Sequence, residues 1–219
     1  FDDFWLILVN ICSEGSDNVI KKEKRISLDM WMLIYGEYYH AFYERNYGYA
    51  LELLEKVLLC SDIVVDGIKP GGSVSMEIDY AICLAKCGRF EEAFLWAEKL
   101  ERELESDVYN KYISEGFSQD FKNSMWKKIC SIYACCLKTQ KAFECITKME
   151  QIGGIIDYYF LKKIADIFNL ANDFQGALLC YYQALKKAKE LGDSESVDSI
   201  IKIIASINNN NGERDVSYE

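Results

Sequence analysis

Between Leu161 and Ala184, small and large apolar residues alternate at helical spacing on both sides of one short polar break. The order is Leu161, Ile164, Ala165 and Phe168, then Asn172-Asp173, then Ala177, Tyr181 and Ala184. Residues at that spacing share one face of a helix, so the stretch predicts two helices joined by a tight turn. A weaker form of the rhythm occurs three times earlier. The chain therefore reads as stacked helical hairpins. Such stacks expose long binding surfaces and seldom carry chemistry of their own.

Composition agrees with an all-α chain. Half of the 219 residues are hydrophobic, enough for a large core, and the one proline, Pro70, leaves room for long uninterrupted helices. The net charge is -10. That balance opposes wrapping a phosphate backbone or resting on an anionic membrane, so neither nucleic acid nor membrane is an expected partner. Nine cysteines, an odd count, lie mostly among apolar residues in helical patterns. They read as reduced, buried thiols of a cytoplasmic protein. The best apolar run, Phe4 to Val9, is too short to span a bilayer and follows Asp2-Asp3, unlike a signal peptide. A start at Phe1 without methionine is expected of a piece of a longer polypeptide or of a chain whose start has been removed.

Periodicity organises the chain into one domain over 1–207. Phe1 to Cys12 reads as a helix, Ser13 to Lys24 as a polar link. Helix pairs follow at about 28–60, 74–105, 120–152 and 157–191, then a terminal capping helix at 194–207 and a disordered tail at 208–219. Asp66 to Ser73, with Gly67, Pro70, Gly71 and Gly72, is the clearest loop, and Asp107 to Phe117 is either a short helix or a long connector. Gly88 suits a left-handed helix-ending position. No strand pattern occurs.

The last pair resembles a tetratricopeptide repeat, a helical hairpin recurring about every 34 residues. Leu161, Ile164, Ala165 and Phe168 match the family's large, leucine, small and aromatic places in the first helix. Ala177, Tyr181 and Ala184 match the second; Lys189 stands where a proline often ends the unit. The third pair matches in Trp126, Ile129, Cys130, Tyr133 and Ala142, the second in Ala81, Leu84, Gly88, Phe90, Ala93 and Ala97. The first matches only in Tyr47, Ala50 and Leu54. Among the anchoring alanines, only the interval from Ala142 to Ala177 approaches the family period. The resemblance implies a right-handed α-solenoid of about four antiparallel helix pairs; the alternative is an irregular all-α bundle. Cys87-Gly88-Arg89-Phe90-Glu91-Glu92-Ala93 is also similar to the turn of a pentatricopeptide repeat, which reads single-stranded RNA, but the acidic balance opposes that reading.

The residues offer little for catalysis. His40, the one histidine, sits among Tyr38, Tyr39, Phe42 and Tyr43 and reads as a packing or surface aromatic contact rather than a general base. Cys83 and Cys87 are four apart and Cys135-Cys136 are adjacent, but no Cys-x-x-Cys pair occurs, so neither a metal nor any other cofactor is expected. Glu91, Glu92, Glu98, Glu101, Glu103 and Glu105, interleaved with Lys99 and Arg102, read as a solvated helix face. No phosphate-binding glycine loop is present. An enzyme is not expected.

In the resembling family the first helix of each pair lines a concave groove that holds peptides. The resemblance places Tyr35, Tyr39, Ile78, Ile82, Lys127, Ser131, Lys162, Asp166 and Asn169 at the groove-lining positions. The expected function is a non-catalytic protein- or peptide-binding scaffold, part of a larger protein or complex. The alternatives are a peptide- or ligand-gated regulatory domain controlling an attached effector, and a structural, oligomerising solenoid.

Overall fold

A computed structural model describes residues 28–58, 73–106 and 119–215, with side chains at 33–55, 76–106 and 120–209. The expected helix at 1–12, the link at 13–24, the loop glycines at 67–72 and the connector at 107–117 lie outside the described residues. Among the described residues the protein is all-helical: α1 Leu28–Tyr43, α2 Tyr47–Leu58, α3 Ser73–Lys86, α4 Phe90–Glu105, α5 Gln119–Cys135, α6 Thr139–Gln151, α7 Tyr158–Leu170, α8 Phe174–Leu191 and α9 Ser194–Asp215. No helix among them is long and apolar enough to cross a membrane. The chain divides into two compact units, Phe1–Cys87 and Gly88–Glu219. The division falls between the two helices of the second expected pair.

In the first unit α2 packs against both α1 and α3. Ile34, Tyr38 and Ala41 of α1, Ala50, Leu53 and Leu54 of α2, and Met76, Ala81, Cys83 and Leu84 of α3 are buried. In the second unit α4 packs on α5, α5 on α6 and α7, α7 on α8, and α8 on α9. Its core runs through Ala93, Leu100, Trp126, Ile129, Tyr133, Ala142, Leu161, Ala165, Phe168, Ala177, Tyr181 and Ile200. Phe168 stacks on Phe143 of the preceding pair with ring centroids 6.4 Å apart, so an aromatic joins one pair to the next.

One turn geometry recurs. Arg45, Leu137 and Asn172 take φ of 61°, 56° and 62°, and Gly88 takes 81°. The next residue's N–H reaches back past the turn. Asn46 N donates to Ala41 O, Lys138 N to Tyr133 O and Asp173 N to Phe168 O, each at 2.9 Å. This left-handed closure satisfies carbonyls that a helix end otherwise orphans. One turn later the buried Ala50, Ala93, Ala142 and Ala177 donate to Asn46, Arg89, Lys138 and Asp173 carbonyls at 3.0 Å. The alanines therefore sit at one fixed place after each turn, and in the packed pairs α1–α2, α5–α6 and α7–α8 a larger side chain than Ala50, Ala142 or Ala177 would hold the helices apart. The small place held by Ala81, Cys130 and Ala165 in α3, α5 and α7 belongs to Tyr38 in α1. Its ring is buried and its hydroxyl donates to the buried Asp79 at 3.3 Å. That bulk explains why the first pair matches the sequence pattern least.

Asp157, Asp173 and Asp193 cap α7, α8 and α9 by accepting from Phe160, Gly176 and Ser196 N–H at 2.8, 3.0 and 3.1 Å. Helix α9 continues past Ile207, the expected end, to Asp215. Four asparagines carry too little helix penalty, under about 1 kcal/mol each, to stop a helix anchored by buried Ile200, Ile204 and Ile207.

Candidate functional site

The expected groove positions of the second unit fall on α5 and α7, which pack against each other. Lys127, Ser131, Lys162, Asp166 and Asn169 are all half-buried. Most of their polar atoms are already engaged. Lys127 Nζ donates to Asp157 Oδ2 at 2.9 Å and lies 5.6 Å from the Phe160 ring centre, while Ser131 Oγ donates to the Lys127 carbonyl at 2.9 Å. Lys162 Nζ donates to Asp166 Oδ2 at 3.1 Å, and Tyr181 OH to Asp166 Oδ1 at 2.5 Å. Burial pushes the Asp157 carboxyl up, but Lys127 and the Phe160 N–H outweigh it and hold it below the usual range. Asp157 and Tyr181 thus join this network although the sequence reading placed Asp157 only at the start of the last pair and Tyr181 only in its apolar pattern. The signal was a carboxylate just ahead of an apolar run, and a tyrosine rather than phenylalanine at a buried place. Tyr159, on the same helix, is 66 % exposed and was also missed.

A second cluster corrects the solvated-face reading of α4. Lys99 and Glu103 do pair along the surface at 3.6 Å. Glu101, however, is buried. Tyr133 OH donates to its Oε2 at 2.6 Å, Lys148 Nζ to its Oε1 at 2.5 Å, and Lys141 Nζ to Oε2 at 3.4 Å. Burial alone would raise the Glu101 carboxyl; Lys148, Tyr133 and Lys141 reverse this and lower it. Lys148 also pairs with Glu105 at 2.6 Å and lies 4.9 Å over the Trp126 ring. The cluster ties α4, α5 and α6 together. With every charge paired, it holds no free base or nucleophile.

In the first unit the expected positions separate. Ile78 is fully buried and has no surface to offer a partner; Tyr35 and Ile82 are half-buried, and Tyr39 is 44 % exposed. Helix periodicity puts Ile78 toward the core because α3 buries most of its circumference over 76–86. Tyr35 stacks on Tyr39 with centroids 5.9 Å apart, and Tyr39 meets Tyr43 at 4.3 Å. These rings run up one side of α1. Beside them a cleft of about 770 Å³ opens between α1 and α2 over Leu33, Gly36 and Ala41, bordered by Glu37, His40, Glu44, Asn46 and Tyr49. Tyr49 OH donates to Glu37 Oε2 at 2.7 Å, and His40 Nε2 stands 3.4 Å from Glu44 Oε1. Both His40 and Glu44 are largely exposed. Gly36 costs helix α1 about 1 kcal/mol relative to alanine. A Cβ there would meet nothing within 4 Å, so among the described residues no packing contact accounts for the missing side chain.

The thiols divide by burial. Cys83, Cys130, Cys145 and Cys180 are buried, Cys135 and Cys136 half-buried, and Cys87 exposed; Cys12 and Cys60 lie outside the described residues. Burial pushes the Cys83, Cys145 and Cys180 thiols up to about 12. Cys130 Sγ meets the Ala142 carbonyl at 3.3 Å. Among the described residues no group of three or more His, Cys, Asp or Glu side chains could hold a metal ion. Comparison with protein-family models, curated proteins and solved structures found no match.

Proposed function

We propose that this chain is a non-catalytic module that binds a protein or peptide, built as a right-handed α-solenoid of tetratricopeptide-like hairpins within a larger cytoplasmic assembly. The observation that carries the reading is the recurring turn, with its left-handed residue, back-reaching N–H and buried alanine one turn on. A turn that repeats in this way gives the hairpins α1–α2, α5–α6 and α7–α8 the same internal geometry. The first helices α5 and α7 then lie side by side and present half-buried Lys127, Ser131, Lys162, Asp166 and Asn169. Side chains held by neighbours but still reachable suit recognition of an extended peptide, since little ordering entropy is lost on contact.

A peptide array probed with the full chain tests the proposal. Peptides should be retained, and Lys162→Ala with Asn169→Ala should weaken retention while leaving the thermal midpoint within a few degrees. Retention unaffected by those changes, or no retained peptide at all, would overturn it.

A further inference from the structure

The cleft between α1 and α2 has a chemistry of its own. Two carboxylates, Glu37 and Glu44, border it, and neither pairs with a lysine or arginine among the described residues. In the second unit, by contrast, the buried Glu101 and the half-buried Asp157 and Asp166 each hold a lysine. The floor of Leu33, Gly36 and Ala41 is apolar and carries open space over Gly36. An apolar floor under an anionic rim matches a side chain with a long aliphatic stem and a cationic head. We propose that this cleft binds an arginine or lysine side chain of a partner peptide, the stem lying over Gly36 and the head reaching Glu37 and Glu44. The proposal rests on the peptide-binding reading above and names the kind of peptide this surface selects. It also gives Gly36 a role: a side chain there would occupy the place of the stem.

The test uses the full chain and a fluorescein-labelled, alanine-based dodecapeptide with arginine at every fourth position, followed by fluorescence polarisation. The glutamine counterpart of the peptide should bind far more weakly. Glu37→Gln with Glu44→Gln should weaken the arginine peptide about tenfold, because the rim charges are lost while the shape is kept. Glu91→Gln with Glu150→Gln makes the same change in net charge elsewhere and should leave binding nearly unchanged. Gly36→Leu should abolish binding and Gly48→Ala should not, although both replace a helical glycine with open space around it. Equal losses from the two charge pairs, or full binding by Gly36→Leu, would overturn the proposal. So would equal affinity for the glutamine peptide. If the arginine peptide fails while arrayed peptides are still retained through Lys162 and Asn169, the cleft assignment falls and the wider reading stands.

Discussion

Thr139 Oγ1 donates a 2.6 Å hydrogen bond to Asp173 Oδ2, across 34 residues. Thr139 opens α6 and Asp173 caps α8, so the bond joins the starts of two successive second helices. The same carboxylate accepts from Gly176 N–H through its other oxygen. One aspartate thus starts a helix and fixes its register against the one before. Asp173→Ala should cost about 2 kcal/mol, combining a lost cap with a lost charge-assisted bond. Thr139→Val should cost about 1 kcal/mol. Urea unfolding of both variants and their double should show strong non-additivity; simple additivity would mean the bond contributes nothing.

Glu101 gathers Tyr133, Lys141 and Lys148 from two other helices. Glu101→Ala should destabilise the protein by about 2–3 kcal/mol, since it leaves partly buried ammonium groups without their partner. The cluster also sets a pH dependence. Glu101 and Asp157 are held below their ordinary carboxyl range, so their contribution is present above about pH 4.5 and is lost as pH falls through the folded-state values. Lys141 and Lys148 are raised despite burial, chiefly by Glu101. Their contribution is complete below about pH 10 and fades as pH rises through the raised values. Denaturation midpoints measured from pH 2 to 11 should form a plateau that Glu101→Ala lowers and flattens, with the difference between the two proteins greatest at neutral pH and shrinking toward both extremes.

Leu137 holds φ of 56° while its side chain is 53 % exposed. A leucine pays steric strain in that region and here gains little burial in return. Leu137→Gly should therefore stabilise the protein by about 0.5–1 kcal/mol, against the usual trend for glycine. A lower denaturation midpoint would show that the exposed leucine contributes more through contact than the turn loses through strain.

Thiol reactivity should follow burial rather than sequence position. Brief alkylation of the native protein with iodoacetamide at pH 8, read by peptide mass spectrometry, should modify Cys87 well before Cys83, its neighbour one turn away. Cys83, Cys145 and Cys180 are protected by burial and by thiols raised to about 12. Comparable labelling of Cys83 and Cys87 would mean that α3 opens on the timescale of the reaction.

The hairpins could be read from residue order because the information is local. Helix α8 begins at Phe174 and ends before Gly192 as its apolar spacing and flanking residues imply, and Gly88 takes the left-handed conformation its place suggested. Leu137 and Arg45 occupy the same turn position without the composition that signals it, because the closing hydrogen bonds outweigh their strain. Of the groove positions, the polar ones on α5 and α7 do reach the surface, whereas Ile78 does not. The period that locates a helix face does not say how much of the circumference its neighbours cover.

Residue order by itself determined the all-helical class and the small-residue places where helices meet, since each depends on contacts within a few turns. Tertiary structure decided that Glu101 faces inward among Tyr133, Lys141 and Lys148 while Glu103 stays on the surface with Lys99. It also decided that Glu37 and Glu44 border an open cleft, paired with no lysine or arginine among the described residues. A carboxylate looks alike in all four positions. Its fate depends on which charges packing brings within a few ångströms and how much water is excluded, and both are set by helices distant in the chain.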